Sequence, residues 1–191
     1  MPIVTDALSE GLGLSVTWLC DAQRVEEITS LFLEGIHNAY ISHGELMDGR
    51  ADAPGLWSPD IAEIHRREMA RLDLSGGPFL HPGVRVAVAE REGQIVGFAT
   101  VTRDRDEGDN QDPVPFATIE DFIVAENQRG LGVGSQLISW VEKSLNSVGI
   151  ARIFLESGVA NEDAHRFFRA KGYAVTSVTF MKDLGSHHSS L

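Results

Sequence analysis

A glycine-rich turn at residues 129–135 contains the groups best suited to binding a charged ligand. It follows a β-branched and aromatic run at residues 118–124 and precedes an amphipathic run, so the sequence predicts a strand, a turn and a helix. Gly130, Gly132 and Gly134 would leave the first N–H groups of that helix open to a ligand. Because these groups and the helix dipole attract anions, we predict that the turn binds a pyrophosphate. The predicted apolar face of the helix comprises Val133, Leu137, Val141, Leu145 and Val148.

Two familiar phosphate-binding turns do not fit this sequence. The phosphate loop of nucleotide hydrolases requires Lys and then Ser or Thr after its last glycine, whereas Gly134 is followed by Ser135 and Gln136. The dinucleotide-binding turn has the spacing Gly-x-Gly-x-x-Gly, whereas the spacing here is Gly-x-Gly-x-Gly. The motif that remains is Arg129-x-x-Gly132-x-Gly134 after a strand, and an ordinary structural turn is its alternative.

A second set of residues begins at Ile153, where the sequence predicts a strand, a polar turn and a short helix that ends at Gly172. Taken with Arg129-x-x-Gly132-x-Gly134, this set resembles the GNAT superfamily of N-acetyltransferases over roughly residues 85–183. The matching positions in this half are Asn161, Ala164, Phe168 and the pair Gly172-Tyr173.

The resemblance implies that acetyl-CoA is the cosubstrate and that no metal is needed. It places the pyrophosphate on the glycine-rich turn, and we expect the pantetheine arm to pair with the preceding strand as an added strand would. The expected coenzyme-binding residues are Phe122, Ile123, Val124, Arg129, Gly130, Leu131, Gly132, Val133, Gly134, Ser135, Asn161 and Phe168.

An amine that attacks a thioester must first lose a proton, because an aliphatic amine has a pKa of about 10.4. Glu120 and Asp121 are adjacent carboxylates in a predicted central strand, where strand alternation directs them to opposite faces. A charge buried there is costly unless it is paired or useful. Members of the resembled family use a Glu at the position of Glu120, or on the next strand where Glu156 falls. We therefore predict Glu120 as the general base and Glu156 as the second candidate, with a structural carboxylate as the alternative for each.

Phe168 stands where many GNAT members have a Tyr whose hydroxyl protonates the departing thiolate. Phe cannot donate a proton, but a thiol pKa of about 8.5 makes the thiolate a tolerable leaving group. Tyr40 and Tyr173 are the only tyrosines. We expect Tyr173 to belong to the core, so Tyr40 or water is the predicted donor.

The segment between His37 and Pro59 shows no helical or strand periodicity, and it is rich in polar residues, Gly and Pro. Long irregular segments in compact domains are commonly binding loops, and in the resembled family this segment lines the acceptor pocket. We predict that Tyr40, Glu45 and Asp48 bind the acceptor. His43 and Glu45 make only a weak metal pair, because a third ligand at fixed spacing is missing.

The composition predicts one well-buried domain, at residues 14–184, between a loose lead-in at 1–13 and a mobile tail at 185–191. A formal charge of -12 disfavours nucleic acid and anionic membranes as partners and suits a cationic acceptor. The single Cys20 cannot form an internal disulfide, and no signal peptide or membrane span is evident. We expect a cytoplasmic protein and leave open a homodimer.

The resemblance implies an α/β (α+β) fold of GNAT type, with a mixed, mostly antiparallel sheet flanked by helices, and the remaining predicted elements agree with it. We predict a strand at 14–19, a helix capped by Asp21 and a hairpin at 84–101. A further helix, capped by Ser58, is predicted to run to about Leu72, with Ile61, Ile64 and Leu72 facing inward and residues 65–67 in solvent. Residues 104–112 fail the pattern of a calcium loop and are predicted to form a solvated hairpin loop.

Together these features predict an enzyme that moves the acetyl group from acetyl-CoA to a primary amine of a small molecule. The residue context around Glu120, Glu156 and Ala164 resembles family members that act on small amines, including aminophosphonates and amino sugars. Two alternatives stay open at this point. One is a non-catalytic acyl-CoA-binding module, which the loss of the Tyr at Phe168 would permit. The other is a peptide or protein N-acetyltransferase, which would need an open groove over the sheet.

Overall fold

The computed structural model describes residues 13–103 and 114–184. The lead-in before Gly13, the acidic segment at 104–112 and the tail at 185–191 lie outside the described residues. The described chain groups into two compact units. The first, called here the sheet unit, combines the chain up to Ile36 with Pro59–Glu156. The second unit combines His37–Ser58 with the chain from Ser157 onward.

Seven strands and five α-helices form the described part of the chain. The strands are β1 (Leu14–Trp18), β2 (Ala51–Ala53), β3 (Leu56–Trp57), β4 (Gly83–Arg91), β5 (Gln94–Arg103), β6 (Phe116–Val124) and β7 (Arg152–Leu155). The helices are α1 (Val25–Gly35), α2 (His43–Met47), α3 (Ile61–Met69), α4 (Val133–Asn146) and α5 (Glu162–Ala170).

The sheet unit contains a five-stranded sheet in the order β1-β4-β5-β6-β7. All neighbouring pairs are antiparallel except β6 and β7, which are parallel. The β4–β5 hairpin turns through Glu92 and Gly93, whose φ angles of 52° and 79° suit a tight two-residue turn. The predicted mixed, mostly antiparallel sheet with flanking helices is therefore confirmed.

Helix α4 buries the apolar face that its sequence predicts, and α1 packs closely on the sheet. In α4, Val133, Leu137, Val141 and Leu145 are buried, whereas Val148 lies beyond the end of the helix. In α1, Gly35 approaches β6 so closely that a Cβ there would lie 2.6 Å from the Ile123 side chain. This close contact sets the depth at which α1 packs on β6, the strand that leads into the glycine-rich turn.

Three predictions about α3 were wrong. The N-cap is Asp60, not Ser58, and the helix ends at Met69, so Leu72 lies beyond it and not on its inner face. His65, predicted to lie in solvent, is fully buried, with its Nδ1 3.1 Å from Thr29 Oγ1 and its ring stacked on Phe32 at 4.2 Å. The aromatic ring and the hydroxyl on α1 give the imidazole an apolar face and a polar partner, so burial is tolerated.

The segments before and after α1 both differ from their predictions. Asp21 caps a 3₁₀ turn at Ala22–Arg24 that precedes α1, rather than capping α1 itself. Residues 37–58, predicted as irregular, contain a 3₁₀ turn at Asn38–Tyr40, helix α2 and a small β2–β3 hairpin. These elements are shorter than the sequence windows over which periodicity can be recognised.

Candidate active site

The glycine-rich turn adopts a backbone that only glycine adopts readily. Gly130 and Gly132 have φ angles of 75° and 84°, and Gly132 is the N-cap of α4. A Cβ at either position would meet no atom within 4 Å. Glycine is therefore required here by the left-handed backbone and not by crowding from the protein. The space over the turn is open to a ligand.

Helix α4 supplies this open space with hydrogen-bond donors. The first N–H groups of a helix have no acceptor within it, and here they come from Gly132, Val133, Gly134 and Ser135. The dipole of the 14-residue helix adds partial positive charge at the same end. Arg129 holds the turn against the strand, because its Nε donates to the Val124 carbonyl at 3.1 Å. The arrangement can bind an anion such as a pyrophosphate.

Strand β6 continues past the end of its neighbour β7. The parallel register runs from Phe116 opposite Arg152 to Ile119 opposite Leu155, where β7 ends. Strand β6 goes on to Val124, directly before the glycine-rich turn. On its other edge this part of β6 pairs with β5, from Gly97 to Thr100. The predicted pantetheine-binding residues 122–124 lie in this extension of β6.

The two candidate bases lie where the β7 ladder ends. Glu120 directly follows Ile119, and Glu156 directly follows Leu155, so both come one step after the last pair of the register. Both side chains are exposed. The structure thus brings Glu120 and Glu156 to the same level of the sheet, at the end of β7 and ahead of the glycine-rich turn.

A β-bulge separates Glu120 from the regular ladder with β5. Thr100 pairs with Asp121 and the next residue, Val101, pairs with Ile119, so Glu120 is the additional residue. A bulge re-aims the side chain that it carries, which is a common device beside active sites. Asp121 is the buried carboxylate, at 8% exposure, and not Glu120. The desolvation argument made from sequence therefore applies to Asp121.

In the second unit, Asn161 and Phe168 both belong to α5. Asn161 is the N-cap, and its Oδ1 accepts from the backbone N–H of Ala164 at 3.3 Å. Phe168 is buried at 9% exposure, and its ring centroid lies 5.1 Å from Phe167 and 5.4 Å from Tyr173. The hydroxyl-bearing ring of Tyr173 thus packs directly on the residue that replaces the expected Tyr.

The predicted acceptor-binding residues also lie in the second unit. Tyr40 is half-buried at the end of the 3₁₀ turn, and Asp48 is exposed at the end of α2. Glu45 forms a capping box with Ser42: its Oε2 accepts from the Ser42 amide at 2.7 Å and the hydroxyl at 2.6 Å. Capping occupies part of the Glu45 carboxylate, and the spacing Ser-x-x-Glu in the sequence could have indicated this.

An acidic groove of about 550 Å³ lies beside α1 in the sheet unit. It is bordered by the start of β5 and by Ala125, Asn127 and Gln128. Two of its carboxylates are paired: Glu26 with Arg66 at 2.9 Å and Glu27 with Arg24 at 3.0 Å. The Arg66 guanidinium holds the pKa of Glu26 below its usual value. These ion pairs reduce the attraction of the groove for a cation.

Neither a metal site nor a membrane span is found within residues 13–103 and 114–184. In these ranges no three His, Cys, Asp or Glu side chains lie close enough together to hold a metal ion. No helix in the same ranges has the length and apolarity needed to cross a bilayer.

Comparisons with known proteins lead to one family. The model of the acetyltransferase (GNAT) family matches residues 51–173. The chain is 29% identical over 131 residues to the aminoalkylphosphonate N-acetyltransferase of Salmonella typhimurium, covering 65% of this chain and 80% of that protein. It is 29% identical over 134 residues to an aminoglycoside N(6')-acetyltransferase type 1 of Serratia marcescens, covering 68% of this chain and 87% of that protein.

A solved structure of similar fold is an aminoglycoside N-acetyltransferase in complex with coenzyme A. Its TM-score is 0.55 at 18% identity, and the match covers 90% of this chain and 95% of that one. At this level of identity the similarity shows the fold.

Proposed function

The chain belongs to the acetyltransferase (GNAT) family and is an acetyl-CoA-dependent N-acetyltransferase, and on this premise we propose that it acetylates a primary amine of a small molecule. The observation that supports the coenzyme part of the proposal is the extension of β6 beyond β7, which ends in the glycine-rich turn. A pantetheine arm needs a strand edge, and a pyrophosphate needs a helix N-terminus. Here one continuous stretch of chain offers both.

The residues of β6 and the turn divide the binding of coenzyme A between them. In our proposal, the N–H groups from Gly130 to Ser135 hold the pyrophosphate, and residues 122–124 hold the pantetheine arm. Arg129 keeps the turn attached to the end of β6 through its bond to Val124. Asn161 and Phe168, in the second unit, stay proposed coenzyme-binding residues.

Glu120 is the proposed general base. It accepts a proton from the ammonium form of the acceptor, and the free amine then attacks the thioester carbonyl to form the C–N bond. The C–S bond breaks, and the thiolate takes a proton from Tyr40 or from water. The nitrogen loses its second proton as the amide forms, and that proton restores the donor. The bulge that turns Glu120 out of the β5 ladder and its position at the end of β7 support this role over a structural one. Glu156, one step past the same ladder, is the alternative base.

The proposed acceptor is a small cationic amine. Two relatives at 29% identity are named for small amine substrates, an aminoalkylphosphonate and an aminoglycoside. The formal charge of -12 favours a cation over an anion. Asp48, which is exposed, and Tyr40 are the proposed acceptor-binding residues, with Glu45 as a weaker candidate because it caps α2.

The proposal is tested by a screen for coenzyme A thiol release from acetyl-CoA across a panel of amines. The panel should include aminoalkylphosphonates, amino sugars, polyamines and peptides with free N-termini. We expect release with at least one small amine and none with peptides. Coenzyme binding by calorimetry without release on any amine would instead indicate a non-catalytic acyl-CoA-binding module. Release with peptides alone would replace the small acceptor by a peptide N-terminus.

A further inference from the structure

Gly158 lies against the backbone of the turn that carries Tyr40. Its N–H donates to the Tyr40 carbonyl at 3.2 Å. A Cβ at Gly158 would lie 2.3 Å from the Ala39 carbonyl oxygen, 2.5 Å from the Ile41 carbonyl oxygen and 2.9 Å from the Tyr40 carbonyl carbon. All of these residues belong to the second unit. No residue with a Cβ fits at position 158 unless the backbone of residues 39–41 moves.

The atoms that crowd Gly158 cannot yield locally. They are backbone atoms of the 3₁₀ turn and of Ile41, the residue after it, whereas the end of a flexible side chain could rotate away. The turn is further held by His37, whose Nδ1 accepts from the Ala39 amide at 3.2 Å. Gly158 itself is part of a tight turn, since its carbonyl accepts from the Asn161 amide at 2.9 Å. The two turns therefore contact each other closely at one buried glycine.

We infer that Gly158 is a positioning residue that sets the placement of Tyr40, and so the affinity of the enzyme for its amine. This inference rests on the proposed function, in which Tyr40 contacts the acceptor. Gly158 has no side chain and does not act on the acceptor itself. It permits the close approach that holds the Asn38–Tyr40 turn in one position. Alanine at this position would displace that turn and leave the glycine-rich turn of the sheet unit unchanged.

The test measures acetyl-CoA affinity by calorimetry and steady-state kinetics for the best amine of the screen. For Gly158→Ala we expect the KM of the amine to rise about tenfold or more, because binding shared by ground state and transition state is lost. The Kd of acetyl-CoA should stay within about twofold of the wild type. Gly76→Ala is the matched control, since a Cβ there would meet only Cys20 Sγ, at an ordinary 3.8 Å. It should match the wild type in both measurements.

A double-mutant cycle with Tyr40→Ala separates positioning from a general loss of structure. If Gly158 acts through Tyr40, the effect of Gly158→Ala on the amine KM should shrink to about twofold or less once the Tyr40 ring is absent. An effect of full size in the Tyr40→Ala background would overturn the inference. So would an active Gly158→Ala enzyme with wild-type kinetics. A wild type that releases no thiol with any amine would overturn the proposed function instead.

A second variant tests the placement of Tyr40 if Gly158→Ala does not fold. His37 is exposed, so His37→Ala should fold. It removes the acceptor of the Ala39 amide and loosens the same turn without adding an atom. The inference expects the amine KM to rise at unchanged acetyl-CoA affinity. An unchanged amine KM in His37→Ala would overturn it.

Discussion

At the scale of single residues, the chemistry depends on how the protein distributes its carboxylates. Adjacent Glu120 and Asp121 have opposite environments, because a bulge turns the first out of the ladder while the second is buried. Glu156 reaches the same level of the sheet from the neighbouring strand. The assignment of the base therefore requires paired substitutions of the two exposed glutamates.

Glu120→Gln should lower turnover by about 10² to 10⁴, the usual scale for loss of a general base, with acetyl-CoA affinity nearly intact. The amide keeps the shape of the side chain but cannot accept the ammonium proton. Steady-state kinetics and calorimetry on one preparation would measure both quantities. Glu156→Gln is the matched variant and should stay within about tenfold of the wild type. The reverse result would assign the role of base to Glu156.

Phe168→Tyr should leave turnover unchanged or raise it. If the pocket keeps the geometry of the family, the new hydroxyl supplies a proton donor for the departing thiolate. The ring already packs against Phe167 and Tyr173, so the aromatic contact is retained. Single-turnover measurements of thiol release would show the effect. A folded variant that binds acetyl-CoA but loses most of its activity would mean that Phe168 does not face the thiol.

At the scale of elements, the glycine-rich turn and α4 form the proposed pyrophosphate site. Gly132→Asp should weaken acetyl-CoA binding by about 100-fold or more. The variant places a negative charge at the helix N-terminus, where the pyrophosphate is proposed to bind, and it strains a left-handed backbone. Titration calorimetry on folded protein is the measurement.

Gly149→Asp is the matched control at the other end of α4. Gly149 has a φ of 85°, close to the 84° of Gly132, and a Cβ there would also meet no atom within 4 Å. The two variants therefore add the same charge at residues of nearly the same φ, at opposite ends of the helix. Equal loss of acetyl-CoA affinity in both would contradict a pyrophosphate site at Gly132.

The loop before β4 is held by an ion pair whose effect depends on pH. Arg85, at 4% exposure, donates to the Asp73 carboxylate at 2.8 Å from Nε. Hydrogen bonds from the Ser75 hydroxyl and amide, followed by that from Arg85, lower the pKa of Asp73 to about 2. Because this pKa is below that of the unfolded chain, the pair stabilises the fold above about pH 4. That stability is lost as the pH falls toward 2.

Asp73→Asn should lower the free energy of unfolding at pH 7 by about 1 kcal/mol. The Arg85 guanidinium is buried and loses its counter-ion, but the Asp73 side chain is 35% exposed, so solvent screens part of the interaction. The difference between wild type and variant should shrink between pH 4 and pH 2, because protonated Asp73 also lacks the charge. Urea unfolding at several pH values would measure it. A difference that is constant down to pH 2 would contradict the assignment.

At the scale of the whole molecule, the charge of -12 attracts a cationic amine and repels anionic acetyl-CoA. Raising the ionic strength from about 0.05 to 0.5 M shortens the Debye length and screens this charge. We expect the KM of a polycationic amine to rise several-fold and the KM of anionic acetyl-CoA to fall or stay constant. Kinetics in a salt series would measure both constants. An amine KM that is independent of salt would contradict electrostatic recognition of the acceptor.

Local patterns in the sequence were enough to predict the main strands and α4, and the resemblance of two motifs to the GNAT superfamily supplied the mixed sheet. These features depend on contacts between residues near in sequence: period-two and helical apolar spacing, and glycines at backbone angles that other residues avoid. The short elements of residues 37–58 gave no such pattern. The burial of His65 was missed because Phe32 and Thr29, which accommodate it, belong to another helix.

The candidate site likewise combines features that the sequence predicts with features that only the tertiary structure shows. The glycine-rich turn and the two glutamates are visible in the sequence, because their residue types and order along the chain carry the signal. Only the tertiary structure decides that Glu120 lies in a bulge, that β7 ends beside it, and that Gly158 lies against the Tyr40 turn. Strand register and close backbone contact join residues far apart in the chain, so no local spacing encodes them.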